Sequence, residues 1–169
     1  MAGWLNQVAV PSKQIGETMP RTIRARPVSI RWDKEKCTTC LSCMVVCAER
    51  HTGVSALSRS RIRVLPQVLG GDYGAEYCRQ CRNAPCAAAC PEEAIQFDQQ
   101  LRTWIVHAER CTGCGACVEA CPFDAIQVDQ VSGVAAKCDL CAGAAWCVQA
   151  CPTGALTVAG RAREGKDGK

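Results

Sequence analysis

Cys111-Thr112-Gly113-Cys114-Gly115-Ala116-Cys117-Val118-Glu119-Ala120-Cys121-Pro122 sets the pattern for the whole chain. Three cysteines fall within seven residues, a fourth follows after three more, and a proline closes the run. That is a spacing at which thiolates bind an iron–sulfur cluster. A loop that bends its backbone around a cluster and aims three side chains inward needs residues that tolerate unusual dihedrals, and Gly113 and Gly115 do so without steric cost. Pro122 then fixes the direction in which the chain leaves and removes one backbone donor.

Three further groups surround this one. Cys37, Cys40, Cys43 and Cys47 repeat its spacing, but Ala48 stands where proline follows in the other groups, so Cys47 reads as part of a helix continuing towards Glu49, Arg50 and His51. Cys78, Cys81, Cys86 and Cys90 precede Pro91 and carry a wider middle gap, Arg82-Asn83-Ala84-Pro85. Cys138, Cys141, Cys147 and Cys151 precede Pro152, with Ala142-Gly143-Ala144-Ala145-Trp146 in the gap. All sixteen cysteines are used, four to a group, which assigns all of them to metal. Zinc is the competing metal, because paired C-x2-C units also build zinc knuckles. Zinc sites gather two such pairs across a longer spacer, whereas here three cysteines crowd one short loop. Metal analysis separates the two, at roughly 16 irons with matching sulfide or about 4 zincs without it.

An internal repeat joins the last three groups. Ala89-Cys90-Pro91-Glu92-Glu93-Ala94-Ile95-Gln96-Phe97 recurs as Ala120-Cys121-Pro122-Phe123-Asp124-Ala125-Ile126-Gln127-Val128 and as Ala150-Cys151-Pro152-Thr153-Gly154-Ala155-Leu156-Thr157-Val158. Each unit is a cluster loop, a short turn of helix and a strand. Ile95 and Phe97, Ile126 and Val128, and Leu156 and Val158 alternate with polar neighbours, so each strand turns one face to a small core. Trp104 and Val106 alternate likewise on a return strand after a Gln99-Gln100 turn. Further strands are expected over residues 28–33 and 61–65, with a turn at Gly70-Gly71.

Composition agrees with a metal-stabilised fold. Only 5% of the 169 residues are aromatic, too few for large side chains to supply the buried area by themselves. So many cysteines would suit a secreted disulfide scaffold, but the start, MAGWLNQVAVPSKQ, lacks the basic and apolar regions of a signal peptide. The expected location is therefore a reducing cytoplasm. No apolar run approaches the roughly 18 residues that cross a bilayer, so no direct membrane insertion is expected. The formal charge of +4 does not argue for nucleic acid, since four thiolate-bound cubanes at about −2 each bring the total to about −4. Arg79, Arg82, Arg110 and Lys137 each adjoin a cysteine and read either as neighbours of anionic sites or as solvated charges.

Residues 1–27 form a polar, basic extension interrupted by prolines, whose Trp4, Leu5, Val8 and Val10 could dock on a partner subunit. A four-cluster domain is expected over residues 28–160 and a disordered charged tail over 161–169. Nothing supplies catalysis: there are two histidines, no Walker loop and no G-x-G-x-x-G. His51 and His107 read as structural or surface residues, and Trp104 and Trp146 as shields between clusters and water. In two-cluster ferredoxins the fourth cysteine of each run ligates the other run's cluster, so four runs imply two pairs. The short interval from Cys90 to Cys111 suits pairing of the second and third groups, a nesting that spacing alone leaves open.

The four runs, in this order and with wider gaps in the second and fourth, resemble the four-cluster [4Fe-4S] ferredoxin-type electron-transfer subunits of molybdenum and tungsten oxidoreductases. The resemblance covers residues 28–160. It implies an α+β fold of two nested bacterial-ferredoxin-like units with short antiparallel strands, short helices and cluster-binding loops, irregular and loop-rich. The outer unit would comprise 28–77 and 130–160, and the inner one 78–129. It also implies four ligand sets: Cys37, Cys40, Cys43 with Cys151; Cys138, Cys141, Cys147 with Cys47; Cys78, Cys81, Cys86 with Cys121; and Cys111, Cys114, Cys117 with Cys90. The chain's length and its segment Ser58-Arg59-Ser60-Arg61-Ile62-Arg63-Val64, after His51-Thr52-Gly53, are most similar to the small iron–sulfur subunits of tungsten-dependent aldehyde oxidoreductases. The implied function is a relay of single electrons, not an enzyme by itself. Its partners would be a large tungsten or molybdenum pterin subunit, an acceptor such as a flavoprotein subunit or ferredoxin, and further copies of the chain. Alternatives are a beta subunit for a molybdopterin enzyme such as formate dehydrogenase, a carrier for carbon monoxide dehydrogenase or hydrogenase, and, from another class, a zinc-binding interaction module.

Overall fold

Short alternating segments between cysteine loops give short strands, and each strand has one antiparallel partner. The computed structural model describes residues 27–66 and 73–159. Within them lie β1 (Ser29–Trp32), β2 (Ile62–Pro66), β3 (Tyr73–Tyr77), β4 (Ile95–Asp98), β5 (Thr103–Val106), β6 (Ile126–Val128), β7 (Ala135–Lys137) and β8 (Leu156–Ala159). They pair as four two-stranded sheets, β1 with β8, β2 with β3, β4 with β5 and β6 with β7. The first pair joins opposite ends of the described chain, with Ile30 opposite Val158 and Trp32 opposite Leu156. The hairpins are local, as in the β4–β5 pair, where Ile95 faces Val106 and Phe97 faces Trp104. The Gln99-Gln100 turn and the strands expected near residues 28–33 and 61–65 are thus present.

Helix length follows from the residue after the fourth cysteine of each group. α1 (Ser42–Thr52) runs through Cys47 because Ala48 can continue a helix, and it ends at Gly53, whose φ of 71° is left-handed. α2 (Pro85–Ala88), α3 (Ala116–Glu119) and α4 (Trp146–Gln149) are single turns that stop just before a Cys-Pro pair. A residue preceding proline is pushed out of the helical region, so these helices cannot extend.

A two-stranded ribbon is marginal alone, and packing must hold each one in place. The larger of two apolar cores joins Ile30 of β1, Met44 of α1, Ile62 and Val64 of β2, Tyr77 of β3, Leu140 and Leu156. Its buried members also include Cys43, Cys47, Cys138 and Cys147. The smaller core contains Ala84, Cys86, Ile95, Cys117, Ile126 and Ala135. Arginines near β2 tie the two together. Arg59 meets Asp129 at 2.6 Å, and Arg63 donates to Gln127 Oε1 at 2.8 Å and to the Asp124 carbonyl. The fold is a small α+β ferredoxin-like one, of short antiparallel two-stranded sheets and short helices. The Trp4 to Val10 arm, the Gly70-Gly71 turn and the 161–169 tail lie outside the described residues.

Candidate iron–sulfur centres

Every cysteine loop is built on left-handed backbone. The residue just before the second cysteine of each group has positive φ: Thr39 at 54°, Gln80 at 50°, Gly113 at 69° and Leu140 at 58°. A second position recurs after each Cys-Pro, at Glu93, Asp124 and Gly154. Left-handed geometry costs an ordinary residue roughly 1–2 kcal/mol, so the loops carry strain that interactions elsewhere in the fold or at the loop offset. Glycine is present at only two of these seven positions. At Gly113 it is doubly required, because an added Cβ would press on the Gly133 carbonyl oxygen.

The loops turn their cysteines into cavities. One cavity, of about 340 Å³ including space open to solvent, is lined by Cys37, Cys40, Cys43 and Cys151, with Trp32, Val64 and Leu156 behind them. A second, of about 360 Å³, is lined by Cys78, Cys81, Cys86 and Cys121, with Trp104 and Lys137. A third, of about 330 Å³, is lined by Cys90, Cys111, Cys114 and Cys117. In each, three cysteines come from one loop and the fourth from a different repeat. The remaining four are also neighbours, for Cys147 lies within electrostatic reach of Cys47 and Cys141, and Cys138 within reach of Cys147. None of the sixteen is in a disulfide.

Their chemistry fits metal-bound sulfur. Burial pushes the thiols of Cys43 and Cys86 up to about 11 and that of Cys147 up to about 12, and neighbouring cysteines add to the penalty. Such sulfurs do not ionise at neutral pH without a positively charged partner, which an iron–sulfur core supplies. Backbone amides aim at four other cysteine sulfurs. Ala94 donates to Cys90 Sγ at 3.3 Å, Ala125 to Cys121 Sγ at 3.5 Å, Ala135 to Cys111 Sγ at 3.4 Å and Arg61 to Cys47 Sγ at 3.3 Å. At Cys151, burial raises the thiol, but hydrogen bonds from Leu156, Thr153 and Ala155 outweigh it and hold the group below its usual value. Hydrogen bonds to sulfur and shielding from solvent are two of the levers that set cluster potentials.

Trp104 lines the second cavity and donates its indole N–H to the Cys81 carbonyl at 2.9 Å. Trp146 instead lies under the Arg50 guanidinium, 4.4 Å from its ring centre. His51 is more involved than a surface residue: its Nε2 is 3.5 Å from Cys141 Sγ and 3.6 Å from Asp139, and burial pushes its pKa down. His107 makes a 3.2 Å contact with Glu109. Of the four cations flanking cysteines, Lys137 is buried and lines a cavity, and Arg79 lines the same one. Sequence reasoning missed Gln80, which is buried inside a cysteine loop, lines the second cavity and links the Cys138 carbonyl to the Trp104 amide. Its only signal was adjacency to Cys81.

A family model described as a 4Fe-4S dicluster domain matches residues 70–161, which take in the second, third and fourth cysteine groups. The polyferredoxin-like subunit of aliphatic sulfonate oxidoreductase from Pyrococcus furiosus is 38% identical over 106 residues, 63% of this chain and 61% of that protein. Subunit beta of NADH-dependent phenylglyoxylate dehydrogenase from Aromatoleum evansii is 37% identical over 113 residues, 66% of this chain but 25% of that subunit. The chain thus spans less than two thirds of the length of these relatives. A solved structure, the active site complex BamBC of benzoyl-coenzyme A reductase with benzoyl-CoA, aligns over 78% of each chain at 26% identity and a TM-score of 0.44.

Proposed function

The chain belongs to the 4Fe-4S dicluster domain family, and on that premise we propose that it is the electron-transfer subunit of an oxidoreductase complex, holding four [4Fe-4S] clusters between a catalytic subunit and an acceptor. The observation that supports this most is that three cavities are each lined by four cysteines, three from one loop and one from another. We assign Cys37, Cys40, Cys43 and Cys151 to one cluster and Cys138, Cys141, Cys147 and Cys47 to a second. Cys78, Cys81, Cys86 and Cys121 hold a third, and Cys111, Cys114, Cys117 and Cys90 a fourth. Bound clusters supply reversible one-electron carriers, and the chain's own groups do the rest. Thiolates hold the irons, amides of Ala94, Ala125 and Ala135 stabilise charge on sulfur, and Trp104 limits water. The crossed ligands divide the domain into an outer unit, residues 28–77 and 130–160, and an inner unit, residues 78–129.

The catalytic partner in this reading is a tungsten or molybdenum pterin subunit, of the aldehyde-oxidising tungsten type that the 58–64 segment resembles. The two named relatives are subunits of an aliphatic sulfonate oxidoreductase and of a phenylglyoxylate dehydrogenase, which favours a complex that oxidises or reduces a small organic compound. A flavoprotein subunit or a ferredoxin takes the electrons. Among the described residues no helix is long and apolar enough to cross a membrane. Anaerobic purification of the native complex tests the reading. About 16 irons per chain and a pterin-bound tungsten or molybdenum in the largest subunit are expected. Nickel in that subunit would replace the partner, and about 4 zincs without sulfide would end the electron-transfer role.

A further inference from the structure

Lys137 closes β7 and is 3% exposed, yet among the described residues none of its hydrogen-bond partners is a carboxylate. Its Nζ lies 2.9 Å from the Trp104 carbonyl, 3.3 Å from the Cys138 carbonyl and 3.3 Å from Gln80 Oε1. All three are acceptors, and an ammonium offers three donors. Gln80, also 3% exposed, is locked in the orientation this requires, since its Nε2 donates to the Cys138 carbonyl at 2.7 Å and its Oε1 accepts from the Trp104 amide at 2.8 Å. Arg59, Arg61 and Arg63 each reach a carboxylate, so Lys137 differs from them in that its partners among the described residues are neutral.

A buried ammonium is costly unless an opposite charge faces it. Lys137 lines the cavity formed by Cys78, Cys81, Cys86 and Cys121, so its ammonium faces four cysteine sulfurs and no carboxylate among the residues lining it. The cavity of Cys90, Cys111, Cys114 and Cys117 has no lysine or arginine in its lining, and neither has that of Cys37, Cys40, Cys43 and Cys151. A fixed positive charge beside one anionic site favours the state of that site with one more electron, and its effect falls with distance. We propose that Lys137, held in place by Gln80, is a potential-setting residue that raises the reduction potential of the cluster bound by Cys78, Cys81, Cys86 and Cys121. One electron is added to that core and no bond of the protein changes. This rests on the ligand set assigned above.

The test is an EPR-monitored redox titration, with dithionite as reductant, of the anaerobically purified full-length holoprotein and two variants. Lys137→Met removes the charge at similar volume, and Gln80→Glu places a carboxylate against it. In both, the reduction equilibrium of one centre should fall at least tenfold, about 59 mV for a one-electron couple. The centre held by Cys138, whose carbonyl Lys137 also touches, should move less, the two remaining centres should hold their midpoints, and Lys137→Arg should restore the wild-type values. If Lys137→Met loses iron, Gln80→Glu decides alone. Unmoved midpoints in a variant with full iron overturn the proposal, as does loss of iron from both variants, which makes the pair structural. Wild-type protein with fewer than four clusters would instead sink the ligand assignment.

Discussion

The two apolar cores solve the same problem with unequal means. The larger buries Ile30, Met44, Ile62, Val64, Leu140 and Leu156 and is closed by pairing of β1 with β8 from far apart in the chain. Among the described residues the smaller has Ile95 and Ile126 as its large buried aliphatics, and its strands are local hairpins. At about 1.5–3 kcal/mol for each buried large side chain, the larger core gains roughly three times as much. The smaller one must obtain its stability elsewhere, and metal binding by cysteines is itself folding energy. The half with less hydrocarbon is thus the half whose structure depends more on its bound clusters.

Stripping iron and sulfide should show this most strongly. Amide exchange in β4 and β6 should accelerate far more than in β1 and β8, and equal acceleration throughout would erase the distinction. Next in size is Gly113→Ala, where a left-handed φ and the Gly133 carbonyl both oppose a Cβ. It should lose the iron of one cluster, about 4 of 16 by metal analysis. Gly154→Ala has a similar φ but open space around it, and should cost only about 1 kcal/mol while keeping its iron. Equal damage at the two glycines would mean that backbone conformation alone matters.

Within the larger core, Ile62→Ala should cost about 2–5 kcal/mol in thermal unfolding of the holoprotein with full iron retained. Iron loss in this variant would show that the larger core depends on its clusters as the smaller does. The smallest effect belongs to the bridge between the cores. Hydrogen bonds from Arg59 hold the Asp129 carboxyl well below the usual carboxylate range, against the cost of its desolvation. A depressed pKa contributes stability that is complete above the ordinary value of 3.8 and is lost as pH falls further. Asp129→Asn should therefore lower the melting temperature by a small, constant amount between pH 8 and about 5, with the gap closing only below about pH 4. A gap that shrinks between pH 8 and 6 would place the relevant titration elsewhere.

Much of the site was legible because loop ligands are close in sequence. The four cysteine groups, the wider loops of the second and fourth, the repeat and the single helix through Cys47 all follow from spacing and from the presence or absence of proline. The left-handed positions were largely hidden, since Thr39, Gln80 and Leu140 occupy in three groups the place that Gly113 marks in the fourth. Closing a loop around a common centre forces that backbone whatever the side chain. β7 was hidden for another reason: Ala135, Ala136 and Lys137 are all buried, so no alternation betrays a strand. The involvement of His51 with Cys141 spans 90 residues and has no local trace.

From the sequence alone came the chemistry: sixteen sulfurs in four loops whose short-range geometry suits thiolate ligation of iron. Tertiary structure decided which distant cysteine lines each cavity, that β1 closes on β8, and that a lysine adjoining a cysteine is buried against neutral acceptors. Covalent spacing controls contacts a few residues apart, whereas these depend on how separate loops pack in space.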